Sequence, residues 1–193
     1  MNDHPLTSRR RFMRQGTLAT AACVAGAALP FAAPRPARAA VAARPLSLAH
    51  THTGERLSLD YVVGQEMAPA AFAAMSHFLR DHYSGAVAPI DLRLLDLLIG
   101  VQRLLRRDKA DAHVFEIISA YRAPGTNARL RERGGGGVAR ASLHMQGRAL
   151  DVRLQGVPLP ELRDAALELR AGGVGFYARD RFVHLDTGRV RSW

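Results

Sequence analysis

Cysteine is all but missing: Cys23 is the only one in 193 residues, and it falls in a segment with the marks of an export signal. A chain processed beyond it would keep neither a disulfide nor a thiol nucleophile, which excludes cysteine catalysis for the mature part. Acidic residues are scarce as well, 17 against 27 basic ones, giving a formal net charge of +10. Such an excess can mark a nucleic-acid partner, but here it is unevenly spread. Residues 1–39 hold six arginines and Asp3, net +5, leaving 21 bases and 16 acids, again net +5, in the remainder. With no polybasic cluster interleaved with aromatics, no nucleic-acid surface is expected; the residual charge weakly favours an anionic envelope polymer. No apolar run reaches the roughly 20 residues of a membrane span, and the run 18–33 is half alanine. The four glycines at 134–137 lack the Lys-Ser or Lys-Thr of a phosphate-binding loop and read as a mobile flap.

Ser8-Arg9-Arg10-Arg11-Phe12-Met13-Arg14 has the form of a twin-arginine export signal. The apolar run follows it, and Ala37-Arg38-Ala39 offers a small-x-small cleavage site before Ala40. The expected organisation is a cleaved signal, 1–39, and one domain, 40–193, exported to the periplasm or cell envelope with no stable membrane anchor. Thr20-Ala21-Ala22-Cys23 is a weaker lipoprotein alternative, because the apolar run continues well past Cys23.

Hydrophobic periodicity supplies the elements. Alternation in 46–50 and 57–62 around Thr53-Gly54-Glu55 predicts a β-hairpin, on which His50 and His52 are read as structural. Helical spacing of Phe72, Met75, Phe78 and Leu79 predicts a helix over 69–83. Leucines from Leu94 to Leu105 predict another over 91–107 with Asp91 as its N-cap. The apolar run 114–118 reads as a buried strand delivering Ser119, Tyr121 and Arg122 to its end, before a short helix at 127–133. A helix at 159–170, ended by Gly172-Gly173, precedes strands at 174–177 and 182–186. The expected fold class is α+β, a mostly antiparallel sheet with helices segregated to one side.

One constellation carries chemistry. His144 and Asp151 are seven residues apart with Gly147 between them, which suits a turn running into a strand rather than two ligands on one helix. In Ala149–Leu154, Leu150, Val152 and Leu154 share one face, so Asp151 points to the other; Phe182, His184 and Asp186 share a face likewise. If the two strands are neighbours, Asp151 and His184 meet over one surface, and His144, Asp151 and His184 could supply the three ligands of a catalytic zinc.

The motif Ser142-x-His144-x-x-Gly147-x-Ala149-x-Asp151 with a late His184 resembles the zinc peptidases grouped with lysostaphin, the D-alanyl-D-alanine carboxypeptidases and the sonic hedgehog fold. Further segments, Leu48-x-x-x-His52-Thr53-Gly54-Glu55, Ser119-x-Tyr121-Arg122-x-Pro124-x-x-Asn127 and Gly172-Gly173-Val174-Gly175-x-Tyr177 through Gly188, bring it nearest the murein endopeptidase K branch over residues 46–193. The resemblance implies a Zn2+-dependent peptidase acting on peptidoglycan peptides, with Ser142, Tyr121 and Arg122 toward the substrate and Arg122 as a carboxylate or carbonyl clamp.

It does not supply the general base. The carboxypeptidase relatives carry an acid three residues before the last histidine, where this chain has Arg181. Asp186, on the face of His184, is the preferred base, with Asp180 in the preceding turn as its rival. Asp186 could instead hold a ligand histidine in place. Which murein bond is cut stays open at this point. A non-catalytic, zinc-containing wall-binding module of the same fold is the alternative to an enzyme.

Overall fold

The structure, a computed structural model, describes residues 44–105, 114–133 and 138–193. The expected export signal and the four-glycine flap lie outside these residues, as does the end of the helix expected over 91–107.

Among the described residues, seven strands form one sheet. In chain order they are β1 (Arg44–His50), β2 (Arg56–Tyr61), β3 (Val114–Ser119), β4 (Ala149–Leu154), β5 (Gly173–Tyr177), β6 (Phe182–Asp186) and β7 (Arg191–Ser192). Their order across the sheet is β2-β1-β3-β4-β6-β5-β7. The pairs β1–β2, β3–β4, β4–β6 and β5–β6 are antiparallel, whereas β1–β3 and β5–β7 are parallel. The sheet is therefore mixed. A parallel pair needs a long crossover, and the helices lying between β1 and β3 in the chain provide it.

Among the described residues there are four α-helices: α1 (Pro69–Phe78), α2 (Arg93–Leu105), α3 (Pro124–Arg133) and α4 (Leu159–Leu169). α2 carries the leucine stripe, burying Leu94, Leu95, Leu98 and Val101, and packs against α4, which in turn covers β4, β5 and β6. Asp91 holds the start of α2 by accepting from the Arg93 amide at 3.1 Å. Fully buried Leu46, Phe115, Ile117, Leu150, Val152, Val183 and Leu185 meet these helices from the sheet. Each such side chain contributes about 1.5–3 kcal/mol on burial. α3 adds nothing to that core; its buried residues are Thr126 and Asn127, and Asn127 turns toward Arg122. The helices are thus not all devoted to one core.

The hairpin forms as expected, with alternate residues of β1 buried and alternate residues of β2 exposed. His50 is buried, and its Nδ1 accepts from the amides of His52 and Thr53 at 3.2 and 3.4 Å, which closes the β1–β2 turn. Two boundaries also differ. α1 stops at Phe78 because Arg80 and Asp81 turn away to meet Glu55 and the loop after β3. α4 ends on Arg170, which takes the left-handed conformation at φ 49°, and not on the glycine pair that follows. Gly172 has another duty, since a Cβ there would lie 1.7 Å from the Asp186 carbonyl oxygen.

Candidate metal centre and cleft

His144 enters from a single 3-10 turn, Leu143–Gln146. Ser142 caps it by accepting from the His144 amide at 3.4 Å, and Gly147 closes it in the left-handed region at φ 64°. A side chain at 147 would be doubly excluded: the conformation disfavours it, and its Cβ would sit 2.2 Å from the Pro89 carbonyl oxygen. This turn aims His144 back over the strand it precedes. β4 then presents Asp151 directly opposite His184 of β6, so the alternation read from the sequence brings both onto one face.

The three side chains converge. Asp151 Oδ1 lies 2.8 Å from His184 Nδ1 and 3.3 Å from His144 Nε2, and the two nitrogens are 3.2 Å apart. Bonds of 2.0–2.1 Å in a tetrahedron require ligand atoms on the order of 3.3 Å apart, so the triangle fits a zinc ion. The proton positions fit as well. His144 Nδ1 is 2.7 Å from the Ala120 carbonyl, which only accepts, so that nitrogen donates and Nε2 turns its lone pair inward. His184 Nε2 faces Asp186 Oδ2 at 3.2 Å, which leaves the Nδ1 lone pair inward. Two imidazole lone pairs and a carboxylate at this spacing repel one another unless a cation lies between them.

With no ion between them, a proton on His184 Nδ1, shared with Asp151 Oδ1 at 2.8 Å, takes the cation's place. Burial opposes charge on His184, but hydrogen bonds to Asp151 and Asp186 outweigh it and lift its pKa to about 8. Burial would likewise raise Asp151, yet the two histidines hold it far below the usual carboxylate range. Among the described residues, these three are the only cluster of histidine, cysteine and acidic side chains close enough to share an ion.

Around the triad lies a cleft of about 540 Å³ lined by Arg122, Ser142, Tyr177, Asp180, Phe182, Asp186, Arg191 and Trp193, among others. Arg122 is almost buried, and its guanidinium donates to Ser119 Oγ at 3.1 Å and to Asp151 Oδ2 at 3.4 Å, bracing the outer oxygen of that carboxylate. Ser142 lines the cleft, but its hydroxyl serves the turn. Tyr121, just beyond the end of β3, is half-buried and packs part of its side chain against the hydrophobic core. Asp180 stands exposed in the turn between β5 and β6.

Asp186 is fully buried beneath His184. Its Oδ1 accepts from the amides of Gly173 and Gly188 at 3.0 and 2.8 Å and from Arg191 at 3.2 Å, and its Oδ2 accepts from Arg191 at 2.6 Å. Burial would push its pKa up, but His184, Arg191 and the two amides hold it well below the ordinary value. A carboxylate so engaged orients a histidine well and accepts a further proton poorly.

Three participants escaped the sequence reading. Asp81, 1 % exposed, accepts from the amide of Ala123 at 3.0 Å and pins the loop that carries Arg122. Arg191 and Trp193 reach the cleft from β7. Strand alternation in Arg191-Ser192-Trp193 would have put both on one face; nothing in that pattern says which face.

Comparison with known proteins follows the same lines. A family model described as peptidoglycan L,D-endopeptidase MepK matches residues 38–193. The peptidoglycan L,D-endopeptidase MepK of Escherichia coli (strain K12) is 39% identical over 188 residues, covering 96% of this chain and 97% of that protein. A probable peptidoglycan L,D-endopeptidase MepK of Haemophilus influenzae is 37% identical over 150 residues, 78% of each chain. The chain belongs to the peptidoglycan L,D-endopeptidase MepK family of peptidases.

Proposed function

We propose that this protein is a zinc-dependent peptidase that hydrolyses L,D cross-links in peptidoglycan. The reading rests on one observation above others: His144 Nε2, Asp151 Oδ1 and His184 Nδ1 lie within 3.3 Å of one another, while the outer ring nitrogens are held by the Ala120 carbonyl and Asp186. The bond type follows that of the relatives, both L,D-endopeptidases by name. The fold expected with this reading is that of the D-alanyl-D-alanine carboxypeptidase and hedgehog group, and the place of action is the periplasm or envelope, reached by the twin-arginine route.

His144, Asp151 and His184, all lining the cleft, would hold the ion. Zinc bound there supplies Lewis acidity, lowering the pKa of a water to about 7 and polarising a carbonyl. The remaining work falls to the chain. Ala120 and Asp186 hold the two imidazoles in the ligating tautomer, and Arg122 braces Asp151 while placing positive charge beside an acidic substrate. Of the two acids considered for proton transfer, Asp186 already engages four donors and His184. Asp180, exposed on the cleft, is therefore the proposed base, and Asp186 the residue that orients His184.

Digestion of purified L,D cross-linked muropeptide dimers, followed by mass analysis, tests the reading. Zinc-loaded protein should yield two monomers by addition of one water, and a chelator should abolish the products. Binding of the dimers without cleavage would establish the wall-binding module instead. Cleavage of D,D cross-links alone would overturn the assignment of the bond.

A further inference from the structure

β5 has a glycine at every second position on its cleft face until Tyr177. Gly173 pairs with Arg191 of β7, and Gly175 stands opposite His184 of β6. A Cβ on Gly173 would lie 2.4 Å from the Arg191 guanidinium and 2.5 Å from Asp186 Oδ2, and one on Gly175 would lie 2.7 Å from the Trp193 ring. The two glycines are notches. Through them, side chains from β7 cross the whole width of β5: Arg191 reaches Asp186, and the indole of Trp193 comes within 5.3 Å of the His184 ring, centroid to centroid.

Trp193 is held there from several sides. Its amide donates to the Val174 carbonyl at 3.2 Å, its carbonyl accepts from Phe176 at 3.0 Å, and its indole N–H donates to the Tyr177 hydroxyl at 2.9 Å. Yet it is 51% exposed and lines the cleft together with Tyr177 and Phe182, which stack on each other at 4.5 Å. A large aromatic ring so firmly anchored, with half its surface left to solvent beside a candidate catalytic histidine, is a surface prepared for a ligand.

Resting on the peptidase reading above, we propose that Trp193, backed by Tyr177 and Phe182, is the substrate seat of this enzyme. Its exposed indole face packs against the aliphatic part of the peptide residue next to the scissile bond. The chemistry of the occupant follows from the neighbours. The Arg191 guanidinium already lies 4.7 Å from the Trp193 ring centroid, so a second cation there meets like charge, and Arg191 is engaged by Asp186, so it recruits no carboxylate. An apolar face remains. The location follows from reach: one extended residue spans about 3.3–3.6 Å, so a group on Trp193 lies within about two residues of the bond at the metal. That is the cross-link itself, not the sugar strand.

Trp193 is the single tryptophan of the chain, so its emission reports the seat directly. With zinc-loaded protein, the sugar-free peptide product of cross-link cleavage should shift that emission saturably, and the murein disaccharide alone should not. In initial-rate measurements on sugar-free cross-linked dimer, Trp193→Ala should raise KM about tenfold with little change in kcat and with full zinc content, the scale of one aromatic contact. Trp193→Phe should recover most of it. Gly175→Ala, which dislodges the indole without deleting it, should reproduce the KM effect.

An unchanged KM in active Trp193→Ala, or a response to the disaccharide in place of the peptide, overturns the seat. So does a loss of zinc and of kcat in parallel, which would make Trp193 a mere prop for His184. If wild-type zinc-loaded protein is inert on every cross-linked dimer, the peptidase reading itself fails, whatever the emission does.

Discussion

Asp186 Oδ2 stands 3.2 Å from His184 Nε2, beneath the histidine and out of reach of solvent. The carboxylate fixes the tautomer of the ring and is itself fixed by Arg191 and two backbone amides. Asp186→Asn can turn its amide N–H2 toward His184, which reverses that constraint. The variant should bind zinc about 10–100-fold more weakly and recover turnover when zinc is supplied in excess. Asp180→Asn should retain zinc while turnover falls by about two to four powers of ten, the scale of general-base removal. Metal titration and kinetics on the two variants separate the roles; a zinc-replete Asp186→Asn that stays inactive would return the base to Asp186.

One zinc per chain is expected by elemental analysis. His144→Ala, Asp151→Ala or His184→Ala each removes one of three protein ligands and should lower occupancy sharply and abolish hydrolysis. Full occupancy in any of the three would remove that residue from the ligand set.

Gly147→Ala should be costly although it adds one methyl group. The residue would have to hold φ 64° with a Cβ 2.2 Å from the Pro89 carbonyl oxygen, so strain and overpacking together should cost about 2–4 kcal/mol. Because the same turn delivers His144, zinc affinity should fall along with the melting temperature. Equal zinc affinity and melting in the variant would contradict this account of the turn.

Asp91 ties the start of α2 to the end of β6 by accepting from Thr187 Oγ1 at 2.7 Å and from the Arg93 amide. Burial opposes its ionisation, but these donors and the Arg93 guanidinium lower its pKa from 3.8 to about 2. A carboxylate with a depressed folded pKa stabilises the protein above its unfolded pKa, and that contribution is lost as pH falls through the folded one. Denaturant titrations should show Asp91→Asn less stable than wild type at pH 6, with the difference shrinking from about pH 4 toward pH 2.

Export is testable at the paired arginines. Arg9→Lys together with Arg10→Lys should leave uncleaved precursor inside the cell, seen by fractionation and blotting. Normal processing after Ala39 would mean that the twin pair is incidental and that another route carries the chain.

Much of the site was legible because strand alternation is a local rule. Leu150, Val152 and Leu154 had to face a core, so Asp151 faced away, and the same parity put His184 and Asp186 together on β6; a glycine between His144 and Asp151 required a turn. These follow from residue spacing alone. Tyr121 shows the limit of the rule. It lies beyond the end of β3, half-buried against the core, where strand alternation no longer says which way a side chain faces.

Tertiary structure alone decided which strands are neighbours and what crosses them. Nothing in Gly173-Val174-Gly175 says that the missing side chains make way for β7, or that Arg191 and Trp193 pass over one strand to reach Asp186 and His184 on the next. The sequence by itself determined the candidate ligands, their faces and the turn that aims His144. The saturation of Asp186, the exposure of Asp180 and the aromatic wall of the cleft were settled by contacts between segments far apart in the chain, which depend on the packing of the whole sheet and not on any local pattern.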